Sequence, residues 1–232
     1  MTTKRRRATR GSGEQLREDI IVAAKKLLAE SGRAEDMSIR KVADAVGVTS
    51  PSIYLHFADK NELLGAIVAD VFRELDDAMI TGASDETSPL GRLRAFGLSY
   101  IRFALSHPEH YRLATMDPCP QPNVEVDEVL RSSAFEHFNA TVVECIAAGI
   151  FVADDPLPIT LSLWSAAHGV ASLVIAKAYL PWGDLEEFAD RVLCAAAAGH
   201  AVAGLFDEPP TPDTMTTWIV GQRRSKRRRA TR

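Results

Sequence analysis

Residues 38–57 hold two short apolar stripes at helical spacing, with a single glycine between them. Ile39, Val42 and Ala43 form the first stripe, and Ile53, Tyr54 and Phe57 follow in the second. Ser38 is placed to N-cap the first helix by accepting a first-turn backbone N–H, and Gly47 breaks that helix. Thr49 can cap the second helix, whose early Pro51 needs no donor in the first turn. Gly47 supplies the backbone freedom of a tight turn, so the segment reads as a helix-turn-helix. Ile39, Val42, Ala43, Val48 and Ile53 would hold the two helices at a fixed angle. Between them lie the small, polar Thr49, Ser50, Pro51 and Ser52. Small side chains let a helix N-terminus approach the floor of the DNA major groove, and its partial positive charge suits phosphates.

Helical periodicity continues on both sides. Ile20, Ala23, Ala24, Leu27 and Leu28 precede a stop at Gly32. Asp59 can cap a fourth helix, with Glu62 in capping-box position and apolar residues from Leu63 to Leu75. Residues 81–89 form a turn-rich linker. Beyond it lie five helical stretches, near Leu90–Ser106, Glu109–Thr115, Val124–Val152, Ile159–Tyr179 and Leu185–Phe206. Alternating β-branched runs are absent, so the fold expected is all-α with about nine helices and no strands. The expected organisation is a flexible basic arm (1–13) and a helix-turn-helix domain (14–64, its fourth helix continuing to about 80). A helical bundle (87–206) and a Pro-rich, then basic, disordered tail (207–232) complete it.

Charge is unevenly spread. The chain carries −4 overall, as +4 in residues 1–60, −15 in 61–220 and +7 in 221–232. A basic head on an acidic body is expected where one end meets a polyanion, although like-charge blocks are also simple solvated tails. The heptad Lys4–Arg10 recurs as Lys226–Arg232. Cys119, Cys145 and Cys194 are too few and too far apart for a disulfide framework or a zinc site. The basic, polar start contains no apolar signal segment. The apolar stretch Leu193–Phe206 is too short to span a bilayer. A reduced, cytoplasmic protein with no membrane partner is expected. No Gly-rich phosphate loop, metal-spaced cluster or nucleophile motif is present, so no catalytic residue, metal or cofactor is assigned.

The run Ser38–Leu64, with its core Tyr54-x-His56-Phe57-x-x-Lys60-x-x-Leu63, resembles the DNA-binding domain of the TetR (tetracycline repressor) family. The resemblance covers about residues 14–64. It implies a homodimeric regulator that places one recognition helix per subunit on a pseudo-palindromic double-stranded operator, with repression as the default. By that resemblance Thr49, Ser50, Pro51 and Ser52 face the groove, and Tyr54, His56 and Lys60 hold phosphates. Ser38 and Arg40 contact phosphate or a base. Phe57 and Leu63 read as core, and Tyr54 as partly packed between helices. The recognition helix itself lacks Lys and Arg. That leaves Arg40 and the arm residues Arg5, Arg6, Arg7 and Arg10 for guanidinium contacts, the arm resembling those that enter a minor groove.

The second half resembles the family less sharply. Trp164-Ser-Ala-Ala-His168-Gly169 looks like the Trp-His-Gly signature of one C-terminal class. Trp164 and His168 share a helix face. They are either core packing or the lining of an effector cavity. Tyr100, Phe103, His110, Tyr111 and Phe138 join them as candidate ligand contacts. The surroundings are apolar, so the effector expected is a small hydrophobic molecule, fatty-acyl-like by guess. The Ala/Gly-rich face around Ala198–Gly204 permits close helix approach and, with the preceding helix, would form the dimer seam. The alternative is an effector-independent, nucleoid-type DNA-binding protein.

Overall fold

Caps and prolines set where the helices begin. Ser88 accepts the Gly91 amide at 3.0 Å ahead of Pro89, Asp59 accepts that of Glu62 at 2.9 Å, and Asp184 that of Glu187 at 2.8 Å. The computed structural model describes residues 12–116, 134–208 and 210–230. Among these residues there are ten α-helices and no strands. They are α1 (Ser12–Ser31), α2 (Ile39–Val46), α3 (Ser50–Ile53), α4 (Lys60–Gly82) and α5 (Pro89–Ser106). There follow α6 (Pro108–Thr115), α7 (Ala134–Ala147), α8 (Leu157–Ala176), α9 (Leu185–Ala203) and α10 (Pro212–Ala230). A single 3-10 turn, Ala34–Asp36, lies between α1 and α2.

The all-α expectation holds, with two corrections. The segment 207–232, expected to be a disordered tail, carries the helix α10. Its Thr211 hydroxyl caps the first turn through the Thr214 amide, at 3.2 Å. Leu193–Phe206, the apolar stretch singled out above, is also not the longest of its kind. By length and composition, Leu157–Ala176 is apolar enough to cross a membrane. In the fold it is a core helix of the bundle, with Ile159, Leu163, Ala167, Val170 and Val174 buried.

One hydrophobic core runs from Ile20 of α1 to Leu193 of α9, without a break at the α4–α5 turn. Each large apolar side chain in it contributes roughly 1.5–3 kcal/mol by leaving water. Helix α4 joins the two halves. Lys60 at its start reaches the Glu35 carbonyl just ahead of α2, and its length packs on α1, α5, α6 and α7. Lys25 of α1 is almost fully buried, with its ammonium 2.8 Å from Asp70 and 2.6 Å from Glu74 of α4. Burial alone would raise the Asp70 pKa. The Lys25 and Arg73 cations outweigh it and hold the carboxyl below its ordinary range.

Helix α9 runs antiparallel to α5. Glu186 at its start pairs with Arg102 near the end of α5, while Ala197–Ala201 face Ser88–Gly91 at the α5 start. The two cross closely at Gly97, where a Cβ would lie 2.8 Å from a Leu193 methyl. The end of α5 lies near the helix-turn-helix, because His110, just beyond it, bonds the Lys25 carbonyl at 2.9 Å. The end of α9 therefore lies at the opposite pole, where Gly204 abuts Val152.

Candidate nucleic-acid interface and effector cavity

The helix-turn-helix is built as its local chemistry dictates. Ser38 accepts the Lys41 amide at 3.3 Å, and Gly47 closes α2 with a φ of 76°, in the left-handed region that favours glycine. Val48 returns its amide to the Ala43 carbonyl at 2.9 Å. Thr49 occupies the N-cap of α3, but its hydroxyl bonds the Ser52 hydroxyl at 2.9 Å instead of a backbone amide. The α-helical part of α3 is only one turn long. Turn bonds from the His56 and Phe57 amides to Ile53, at 2.9 and 3.0 Å, extend it.

Ile53 and Phe57 anchor this turn in the core, and the Arg17 guanidinium lies 5.2 Å from the Phe57 ring centre. The opposite face is open. Thr49, Pro51, Tyr54 and Arg40 are exposed, and Ser50, Ser52, His56 and Lys60 half-buried. Tyr54 is 52% exposed. Lys60 reaches the Glu35 carbonyl at 3.3 Å, and Ser38 is exposed at the start of α2. Gly13, at the start of α1, lies beside the His56 ring. Arg5, Arg6, Arg7 and Arg10 lie outside the described residues.

The candidate ligand residues divide into three groups. Tyr100 (α5), Tyr111 (α6), Trp164 and His168 (α8) meet in one hydrogen-bonded cluster. Trp164 Nε1 donates to the Tyr100 oxygen at 3.3 Å, the two phenol oxygens are 2.9 Å apart, and His168 Nδ1 lies 2.6 Å from Tyr111. Indole is only a donor, so the Tyr100 oxygen accepts from Trp164. Tyr100 can then donate to Tyr111 and Tyr111 to a neutral His168, or Tyr111 to Tyr100 and Tyr100 to His168 Nδ1, which is 3.4 Å away. With a proton on His168 Nδ1, one of the two hydroxyl protons has no acceptor within the cluster. Burial lowers the His168 pKa and raises those of both tyrosines.

Phe103 and His110 form a second group. Phe103 stacks on His107, which stacks on His110, and His110 ties α6 to α1 through the Lys25 carbonyl. Phe138 stands in the third group, lining a cavity of about 540 Å³ between α5, α7, α8 and α9. Leu93, Gly97, Phe151, Leu163, Leu193 and Ala198 line it too, with Ser88, Arg94 and Cys194 as polar members. None of the Tyr-His-Trp cluster lines it. The cavity residues were missed because small and aliphatic side chains at ordinary core spacing carry no signal distinct from packing. Arg94 is paired with Asp190 at 2.5 Å.

The cluster gives the protein a pH dependence. His168, and His200 beside Phe151, both have pKa values lowered by burial. Unfolded histidine titrates near 6.5. The unfolded chain therefore binds more protons below that pH, and stability falls with falling pH until it has passed through the folded values. We expect the melting temperature to drop between about pH 6.5 and 5, and His168→Gln to flatten that slope. An unchanged slope in the variant would assign the effect to other groups.

Comparison with known proteins accounts for both halves. Residues 20–67 match the family "Bacterial regulatory proteins, tetR family", and residues 93–196 match "Tetracyclin repressor-like, C-terminal domain". The nucleoid occlusion factor SlmA of Sodalis glossinidius is 28% identical over 99 residues, which is 43% of this chain and 50% of SlmA. The HTH-type transcriptional regulator TtgR of Pseudomonas putida is 34% identical over 90 residues, 38% of this chain and 42% of TtgR. The chain thus spans about half the length of the relatives it matches. The likeness in fold runs further. A protein of unknown function from Rhodococcus sp. RHA1, 24% identical, superposes with a TM-score of 0.71 over 86% of this chain and 100% of its own. Matches to an N-terminal and a C-terminal family domain, in that order on one all-helical frame, place the chain in the TetR family of bacterial regulatory proteins.

Proposed function

We propose that this chain is a homodimeric, operator-binding transcription regulator of the cytoplasm, and a repressor released by a small apolar effector. The observation that carries the reading is the open face of α3. Thr49 and Pro51 are exposed, and Ser50 and Ser52 half-buried, on a turn whose other side, Ile53 and Phe57, is locked in the core. Such a rigid, small-residue helix start fits a major groove. Arg40, Tyr54, His56 and Lys60 surround it as phosphate contacts. The arm, with Arg5, Arg6, Arg7 and Arg10, would add minor-groove contacts.

Residues 14–64 would form the DNA-binding unit and 87–206 the effector and dimer unit. Dimerisation through α8 and α9 is supported by unpartnered surface. Leu157, Leu161 and Leu173 are more than 40% exposed, and nothing comes within 4 Å of the Cβ positions of Gly169 and Gly199. A helical glycine costs about 1 kcal/mol unless backbone must approach it closely, which a partner helix would do. The apolar cavity supports the effector and weighs against an effector-independent nucleoid protein, since its size suits a small ligand. An effector must bind the DNA-incompetent state better to shift the equilibrium. The contacts of α6 with α1 and α4 would carry that difference to the reading heads.

The test uses operator fragments selected from genomic DNA. Ser52→Ala should change preference among sites. Lys60→Ala should weaken all sites alike and lower the salt slope by about one unit. Equal effects across the selected set would overturn the groove assignment. Leu163→Trp should fill the cavity and abolish induction with operator affinity intact. If instead only Trp164 or His168 substitutions do so, the effector sits at the Tyr-His-Trp cluster.

A further inference from the structure

Five residues of the second basic heptad, Lys226–Ala230, lie in α10, and the helix-turn-helix does not account for them; Thr231 and Arg232 lie outside the described residues. Three observations bear on it. First, α10 is a continuous helix of 19 residues, about 28 Å long at 1.5 Å per residue. Second, it stands off the body. Its anchor is the edge-to-face contact of Trp218 with Phe206, with ring centres 5.9 Å apart. All described side chains beyond Trp218, from Ile219 to Arg224, are exposed. Third, it springs from the end of α9, at the pole opposite the helix-turn-helix, where Gly204 abuts Val152.

Its charge is concentrated in its second half. Residues 221–232 hold seven Lys/Arg and no acid, whereas residues 61–220 carry −15. Between Arg223 and Arg229 six cations occupy about 9 Å of helix axis, where B-DNA presents about five phosphates at one per 1.7 Å. Such matched line charges gain by releasing counterions from the duplex. An acidic body would attract the helix, yet α10 does not lie along it. An anionic membrane would be met by an amphipathic helix with an apolar face beside the charges. Here Met215, Trp218 and Ile219 lie in the first half, and the basic half has Ala230 as its one apolar residue besides Gly221.

From these observations we infer that α10 is a second DNA-binding element, independent of the helix-turn-helix. It binds the phosphate backbone of a second duplex segment without sequence preference. A bound regulator could then tie its operator to a neighbouring stretch of DNA. The site would act in trans to the recognition helix because the two lie at opposite poles.

The test compares the full chain with a variant carrying Arg223→Gln, Arg224→Gln, Lys226→Gln, Arg227→Gln, Arg228→Gln and Arg229→Gln. Random-sequence duplex is immobilised, and capture of a second, labelled duplex is measured across a salt titration. The full chain should bridge the two, and the variant should lose bridging while still binding one duplex. The slope of log affinity against log salt should fall by about three to five units, up to 0.9 per lost phosphate contact. A melting curve and helical content matching the parent would show that the variant is folded. Bridging that survives in the variant overturns the inference. So does tighter duplex binding by the variant, which would show that the acidic body holds the helix. Loss of binding to phosphatidylserine vesicles, with duplex bridging unaffected, would also overturn it in favour of a lipid surface.

Discussion

Replacing Leu161 and Leu173 by glutamate is expected to yield a folded monomer whose operator affinity is lower by about 10²- to 10⁴-fold. Both side chains are exposed on α8, at 42% and 53%, so the substitutions remove no core contact within one subunit. In a two-fold interface each new carboxylate would meet the partner's copy of the same surface, and burying unpaired charge there is costly. The affinity loss follows from tethering. Two recognition helices on one rigid dimer reach half-sites one helical turn apart, about 34 Å, and the second contact is intramolecular. A monomer forfeits that advantage while its single helix-turn-helix stays intact. Light scattering reads the mass, and anisotropy on one selected operator reads the affinity. A dimer with unchanged affinity would place the interface away from α8. Ala198 and Ala201, which the Ala/Gly pattern singled out for this role, are unsuitable probes because they line the cavity. Charges there would disturb effector binding as well.

Phe57→Ala should have the largest effect on stability, about 3–5 kcal/mol. The ring is 1% exposed, below the α3 turn, and its backbone amide closes the last bond of that turn to Ile53 at 3.0 Å. Truncation removes the ring from the core and leaves a void between α1, α3 and α4. It also removes the surface beneath Arg17. Total stability for such a domain is about 5–15 kcal/mol, so much of the reserve would be lost. Because the same turn carries Thr49–Ser52, operator binding should fall together with stability. Phe57→Leu, which keeps most of the apolar volume, should cost markedly less and retain binding. Urea unfolding of the three proteins checks the order, and an equal loss in both variants would argue for strain elsewhere.

Helix starts and stops were legible because they are local. Ser38, Gly47, Asp59 and Gly32 act within four residues of themselves, so spacing alone locates them, and the structure shows each at its expected end. The helix α10 was missed because its basic run and prolines resemble a solvated tail in composition. Only the Thr211 cap and the Trp218–Phe206 contact distinguish it.

The candidate ligand residues show the other limit. Trp164 and His168, four apart, were bound to share a face. That Tyr100 and Tyr111 would complete a hydrogen-bond chain with them required α5, α6 and α8 to converge. Likewise Phe138 and Ala198 were singled out for other reasons and Leu163 not at all, and the space among them exists only where α5, α7, α8 and α9 come together. Local hydrogen bonding and apolar periodicity therefore sufficed for the helix-turn-helix, and the family followed from the resemblance of the run Ser38–Leu64. The cavity, the polar cluster and the polar separation of α10 from α3 arise from contacts between residues tens of positions apart, and no short-range pattern encodes those.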